Sequence, residues 1–181
     1  MGADKGVHIH TDLDIDKDIQ PIHIASILNK YIQDNGYDIV ILGKQSIDDD
    51  FNHTGQMLSE LSGRSIAPFI SKLDYDKDKK QWLVEREIDG GIQTIKVPSN
   101  SIFTCDLRLN TPRLIKLPNI LKAKKKPLDK LTLDDFKDEI SKINSKLNIL
   151  EITEPPKREG GVILESVDEL LDKLRNVDKV L

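Results

Sequence analysis

Hydrophobic residues along this chain follow several rhythms, and the rhythm changes near its middle. Gly6-Val7-His8-Ile9-His10 alternates and predicts a short strand, with His8 and His10 on the face opposite Ile9. From Pro21, the residues Ile24, Ile27, Leu28, Tyr31 and Ile32 recur at helical spacing. Pro21 suits a first helical turn, and Asn35-Gly36 supplies a left-handed cap. Tyr37–Leu42 is apolar on both faces, as in a strand inside a parallel sheet. Strand, helix, strand in this order predicts a right-handed βαβ unit. After Gly43 a second helix is expected from near Asp50 to Gly63, with Met57, Leu58 and Leu61 as its apolar face.

From Ile66 the pattern turns to strands: Pro68–Tyr75, Trp82–Ile88, Ile92–Val97 and Ser101–Leu107. Asp76-Lys77-Asp78-Lys79-Lys80 and Asp89-Gly90-Gly91 separate them as turns, so an antiparallel meander is expected beside the parallel half. Leu109–Pro112 reads as a loop, and Pro118 opens a short helix that runs into Lys122-Ala123-Lys124-Lys125-Lys126 and stops at Pro127. Leu128–Ser145 is charged, with a weak helical pattern through Leu133, Phe136 and Ile140. Leu147–Ile152 reads as a last strand. Ser166 caps a final helix, Glu169 completes the capping box, and Val167, Leu170, Leu171, Leu174 and Val177 form a face expected to be buried.

Composition narrows the class. With 181 residues, 38% hydrophobic and 32% charged, the chain suits one globular domain, or one domain plus a small appendage. No apolar run approaches membrane-spanning length, and no basic n-region precedes an apolar core at the start. A net charge of −4 argues against a general nucleic-acid binder. Aspartates crowd 4–18 and 48–50, while lysines crowd 122–126. The one cysteine, Cys105, excludes an internal disulfide and favours a small buried strand residue over a reactive thiol. No third ligand accompanies His8 and His10, and the acidic loop Thr11–Asp18 lacks the glycine and glutamate of a calcium loop, so no metal is expected.

The candidate chemistry lies in Gly43, Lys44, Gln45, Ser46, Ile47, Asp48, Asp49, Asp50, Phe51, Asn52, His53 and Thr54. Gly43 permits a sharp turn at a strand end, and N–H groups from Phe51 to Thr54 are expected to be the free donors of a helix N-terminus. One aspartate is expected to cap the helix and another to accept from ribose hydroxyls. The loop is not a Walker loop, so an adenine nucleotide and an ordinary capped turn both remain open at this point. No hydrolytic residue set is present in the sequence pattern. A second candidate is Arg113, Leu114, Ile115, Lys116, Leu117, Pro118, Asn119, Ile120, Leu121 and Lys122, a set of large apolar residues between basic ones, suited either to a core or to docking an acidic protein.

Four stretches in order carry a family resemblance. Leu42-Gly43-Lys44-Gln45, continuing through Ile47-Asp48-Asp49-Asp50, resembles the adenylate loop of the electron transfer flavoprotein β subunit. Val84-Glu85-Arg86-Glu87-Ile88-Asp89-Gly90-Gly91 resembles that family's signature hairpin. Thr104–Asn110 and Leu117–Lys126 follow in the family's order and spacing, and Met1-Gly2-Ala3-Asp4 resembles a family segment that ends a helix. The resemblance extends to Gly161-Val162 and the terminal helix.

The resemblance implies an α/β, Rossmann-like adenine-nucleotide-binding fold with a parallel sheet flanked by helices and an antiparallel hairpin extension. It implies a β subunit that forms a heterodimer with an α subunit. Together they carry one FAD, take electrons from acyl-CoA dehydrogenases and pass them to a quinone oxidoreductase, in the mitochondrial matrix or a bacterial cytoplasm. Such a subunit is an electron carrier rather than an enzyme, without direct membrane insertion. It implies a structural AMP on Gly43–Thr54, a recognition loop at Arg113–Lys122 with Leu117 as its anchor, methylation at Lys122 and Lys125, and a contact from Glu87 to the mobile flavin domain of α. The expected organisation is a core over 1–110, a recognition loop and lysine-rich helix over 111–127, and a strand, loop and helix over 128–181 that extends to α. Two departures stand out. The family's first third, with some AMP contacts, has no counterpart here, so an N-terminally truncated fold is expected. Pro98 is followed by Asn100 where the family pattern usually has proline. The alternatives are a stand-alone adenine-nucleotide-binding protein of the same fold and a non-functional fragment.

Overall fold

The computed structural model describes residues 2–13, 19–143, 147–158 and 160–180, so most of the acidic loop lies outside the described residues. Two compact units emerge, Met1–Asn148 and Ile149–Leu181.

In the first unit, β1 (Gly6–His10) is a strand, with His8 and His10 exposed and Ile9 half-buried as the alternation predicts. Helix α1 (Pro21–Asn35) starts at Pro21 and ends on Gly36 at φ 66, whose N–H bonds the Ile32 and Gln33 carbonyls. Its entry is held by a residue outside the predicted stripe. His23, 4% exposed, accepts the Gln20 N–H on Nδ1 at 3.0 Å.

The run Tyr37–Leu42 departs from expectation. The strand is β2 (Val40–Gly43), it lies at one edge of a five-stranded sheet, and Ile39 and Ile41 are exposed. Only Val40 and Leu42 pack inward, because nothing among the described residues pairs with the outer edge or covers the far face. Helix α2 (Thr54–Ser62) begins four residues later than expected. Leu58 is fully buried and Met57 packs beside it, but Leu61 is 41% exposed.

The hairpins are β3 (Ser65–Asp76), β4 (Gln81–Ile88) and β5 (Gly91–Pro98), antiparallel in sequence order. The expected fourth meander strand does something else. β6 (Ser101–Cys105) turns back over the hairpin and inserts between β2 and β3, parallel to both, giving the order β2-β6-β3-β4-β5. Burial explains this. Ile102 and Phe103 point to opposite faces, and both are completely buried. Ile102 joins Ala25, Ile32 and Leu58 beneath the helices, while Phe103 joins Ala67, Ile70, Val84 and Val97. A strand apolar on both sides gains most in the interior of a sheet.

After a loop, α3 (Leu117–Ala123) carries Pro118 in its first turn. β7 (Leu128–Thr132) then pairs parallel with β1 in a separate two-stranded sheet, where a weak helical pattern was expected. A 3-10 turn over Leu133–Phe136 buries Phe136, and α4 (Lys137–Ser141) follows. Leu147–Ile152 forms no strand, and Leu147, Ile149, Leu150 and Ile152 are all exposed.

In the second unit, α5 (Val167–Asp172) is capped as predicted. Ser166 accepts the Glu169 N–H at 3.1 Å. The Glu169 carboxylate takes the Glu165 N–H at 2.9 Å. A π turn continues it through Lys173–Val177. The expected buried face is open, with Val167, Leu170 and Val177 exposed.

Candidate functional site

The loop after β2 closes a cavity of about 310 Å³ at the C-terminal edge of the parallel strands. Gly43, Lys44, Gln45, Ser46, Asp49, Phe51, Asn52, His53 and Thr54 line it. Ile47, Asp48 and Asp50 do not, and Ile47 points outward at 94% exposure. Pro21, Ile24 and Leu28 of α1, with Leu42 and Gly55, complete the wall. Pro21, Ile24 and Leu28 escaped the motif reading, although they share one helical face.

The loop is shaped by its own polar groups. Asp49 accepts the Ser46 hydroxyl at 2.5 Å and the Phe51 N–H at 2.9 Å on Oδ1, and these bonds hold its carboxyl below the usual carboxylate range. Asp50 accepts the Gln45 amide at 2.9 Å. No aspartate caps α2. The N-cap is His53, without a side-chain bond. The Phe51 N–H is therefore spent on Asp49, and the free first-turn donors are those of Thr54, Gly55 and Gln56 rather than Phe51–Thr54. The left-handed residues of the turn are Asp50 (φ 53) and Asn52 (φ 54), types that tolerate this region. Gly43 is an ordinary strand residue paired with Cys105, with open space where a Cβ would sit. Phe51 and His53 stack at 5.3 Å, and Gln56 donates to Asn52 at 3.1 Å while its own buried carbonyl oxygen lacks a partner.

Gly55 is where glycine is required. A Cβ there would lie 2.5 Å from the Thr104 methyl. That close approach sets the first turn of α2 directly on β6. Thr104 is itself pinned, accepting the Phe69 N–H at 3.1 Å at a bulge in β3.

Lys44 does not reach freely into the cavity. Its ammonium bonds the buried Asp106 at 3.0 Å and lies 5.9 Å from the centre of the Phe69 ring. Asp106 also accepts Arg108 Nε at 2.9 Å and the Arg108 N–H at 3.0 Å. Arg108 and then Lys44 hold the Asp106 carboxyl far below its ordinary range. The far end of the Arg108 guanidinium pairs with Glu87 on the hairpin. Burial pushes the neighbouring Cys105 thiol up, away from thiolate reactivity.

The second candidate segment stands apart from this cavity. Leu114 (92%), Ile115 (60%) and Leu117 (67%) are exposed, as are Arg113, Lys116, Pro118, Leu121, Lys122 and Lys125, while Asn119 and Ile120 are half-buried. A cavity of about 720 Å³ separates α3 from Gly2–Gly6, and two of its lysines are committed, Lys5 to Asp129 and Lys126 to Asp4. Among the described residues no cluster of three or more His, Cys, Asp or Glu is placed to hold a metal ion. No helix among them is long and apolar enough to cross a membrane.

An α/β sheet with a loop-lined cavity at its C-terminal edge and a long hairpin extension is the arrangement that comparison with known proteins then names. The electron transfer flavoprotein domain signature covers residues 1–136. The chain is 49% identical over 176 residues to the mitochondrial electron transfer flavoprotein subunit beta of Arabidopsis thaliana, covering 97% of this chain and 67% of that protein. It is 44% identical to the subunit beta of Bradyrhizobium diazoefficiens (100% and 69%) and 39% identical to that of Sus scrofa (99% and 69%). This chain belongs to the electron transfer flavoprotein β-subunit family.

Proposed function

We propose that this chain works as the β subunit of an electron transfer flavoprotein, as an electron carrier and not as an enzyme in its own right. In this reading it pairs with an α subunit and the two share one FAD, held mainly by α. The pair takes electrons from acyl-CoA dehydrogenases of fatty-acid and amino-acid oxidation and delivers them to the respiratory chain through a quinone oxidoreductase. The flavin supplies the redox chemistry when bound, and the protein positions it. The plant relatives are named mitochondrial, which favours the matrix, with the cytoplasm for a bacterial chain.

The observation that carries the reading is the cavity after β2 in a chain of this family. Its residues suit an adenine nucleotide. Thr54, Gly55 and Gln56 offer N–H donors to a phosphate at a helix N-terminus. Ile24, Leu28 and Leu42 offer an apolar wall to a base. Asp49 lines the cavity with Oδ2 free for a ribose hydroxyl. A bound AMP would be structural, joining α1, the loop and α2. The chain spans 67–69% of the length of these relatives, and AMP binding to it alone is expected to be weak or absent. Arg113–Lys122 is the docking segment of this reading, with Leu117 as its apolar anchor and Lys122 and Lys125 open to methylation.

The test is co-expression with an electron transfer flavoprotein α subunit. A yellow heterodimer with one FAD, releasing AMP on denaturation, is expected. Failure to form any flavin-containing complex overturns the reading. Calorimetry showing tight AMP binding to the isolated chain would instead refute the expectation of weak binding alone.

A further inference from the structure

Asp106 sits between two regions that the fold otherwise keeps apart. Its side chain is 2% exposed. Its backbone N–H bonds the Ile70 carbonyl at 3.0 Å, and Oδ1 takes two donors from Arg108, so the carboxylate has one orientation. On one side Oδ2 holds Lys44, which lines the cavity and is its one lysine or arginine among the described residues. On the other side Arg108 reaches Glu87 in the β4–β5 hairpin. The charges alternate along the chain: Lys44 plus, Asp106 minus, Arg108 plus, Glu87 minus. Both ends open to solvent, with the Lys44 side chain 33% and the Glu87 side chain 47% exposed.

We propose that Asp106 is a positioning residue that couples the Gly43–Thr54 cavity to the β4–β5 hairpin through the chain Lys44–Asp106–Arg108–Glu87. An anionic group entering the cavity competes with Asp106 for Lys44. A cation arriving at the hairpin competes with Arg108 for Glu87. Because one fixed carboxylate anchors both cations, each event changes what the other must displace, and the coupling is reciprocal. Glu87 therefore acts on the cavity without touching it. The choice of AMP as the cavity's probe rests on the nucleotide reading above, while the chain of ion pairs does not.

Two arms test it separately. In the first, the resonances of the Lys44 and Gln45 amides and of the Lys44 ammonium are followed by NMR without ligand. Glu87→Gln is expected to move them. Asp89→Asn, which removes the same charge from the same hairpin outside the chain of pairs, is expected not to. Arg108→Lys keeps a positive charge but replaces the guanidinium, which meets Asp106 through Nε and Glu87 through Nη2, with one ammonium that lacks this two-ended reach, and in that background the Glu87→Gln effect is expected to vanish. Equal effects of Glu87→Gln and Asp89→Asn, or a Glu87→Gln effect that survives in Arg108→Lys, overturn the proposal. In the second arm AMP is titrated into heterodimer first freed of its nucleotide by denaturation and refolding with FAD. Glu87→Gln commits Arg108 to Asp106, loosens Lys44 and is expected to tighten AMP about threefold or more relative to Asp89→Asn. Absence of AMP binding in every variant defeats the nucleotide reading and leaves the resonances to decide the coupling.

Discussion

The loop Gly43–Thr54 and the segment Arg113–Lys122 both join regular elements, and both are candidate contact surfaces, yet folding treats them in opposite ways. The loop consumes its own polarity. Asp49, Asp50 and Lys44 each have partners within this chain, and two left-handed residues set its turn. The segment consumes nothing. Leu114, Ile115 and Leu117 stand in solvent, and among the described residues Arg113 and Lys116 have no ion-pair partner. A pre-shaped cavity suits a small ligand, because the cost of ordering is met on folding. An exposed apolar run flanked by cations suits a protein partner, because only a partner removes that surface from water.

The sharpest way to break this contrast is at the cavity's foundation. Gly55→Val would drive a side chain into the pinned Thr104, and a loss of about 3 kcal/mol in urea unfolding is expected. An unchanged midpoint would show that α2 does not depend on its contact with β6. Asp106→Asn is expected to cost about 2 kcal/mol, since it weakens a buried carboxylate that holds two cations. That contribution also carries a pH signature. The folded carboxyl lies below its unfolded value, so its stabilisation is complete above about pH 4 and is lost as pH falls further. The stability gap between wild type and Asp106→Asn should therefore stay constant from pH 7 to 5 and narrow below 4. A constant gap down to pH 2 would remove the ion pairs from the explanation.

The docking segment should behave in reverse. Leu117→Ala is expected to change stability by less than about 0.5 kcal/mol, because the side chain is mostly exposed. Its capture of an acyl-CoA dehydrogenase, measured with the heterodimer, is expected to fall about tenfold. Undiminished capture would remove Leu117 as the anchor. The smallest effect is expected in the second unit. Leu170→Ala on the open face of α5 should leave the urea midpoint of the isolated chain unchanged within about 0.5 kcal/mol. A larger loss would show that this face is covered in solution.

Much was legible from local pattern. The α1 stripe, its Pro21 start and Gly36 end, the two hairpin turns, the Pro118 helix start and the Ser166 cap all depend on neighbours within a few residues. Nine of the twelve residues of the candidate loop line the cavity. Pairing across the chain was not legible. β7 offers two leucines among charged and polar residues, and only its distant partner β1 makes it a strand. Ser101–Cys105 read as the next strand of a meander, because a short turn after β5 hides a crossing to a place between β2 and β3. The α2 start was misplaced because Asp49 and Asp50 bond within the loop and leave the helix end to His53.

By itself the sequence determined most of the kinds of element, most of their caps, the family and the two candidate contact stretches. These follow from residue periodicity and from motifs read over short spans. Tertiary structure alone decided that β6 is an interior strand buried on both faces, that β2 is an exposed edge, and that Lys44 serves Asp106 before any ligand. Those outcomes rest on which distant surfaces and charges meet, and burial with long-range pairing selects among arrangements that local pattern leaves equivalent.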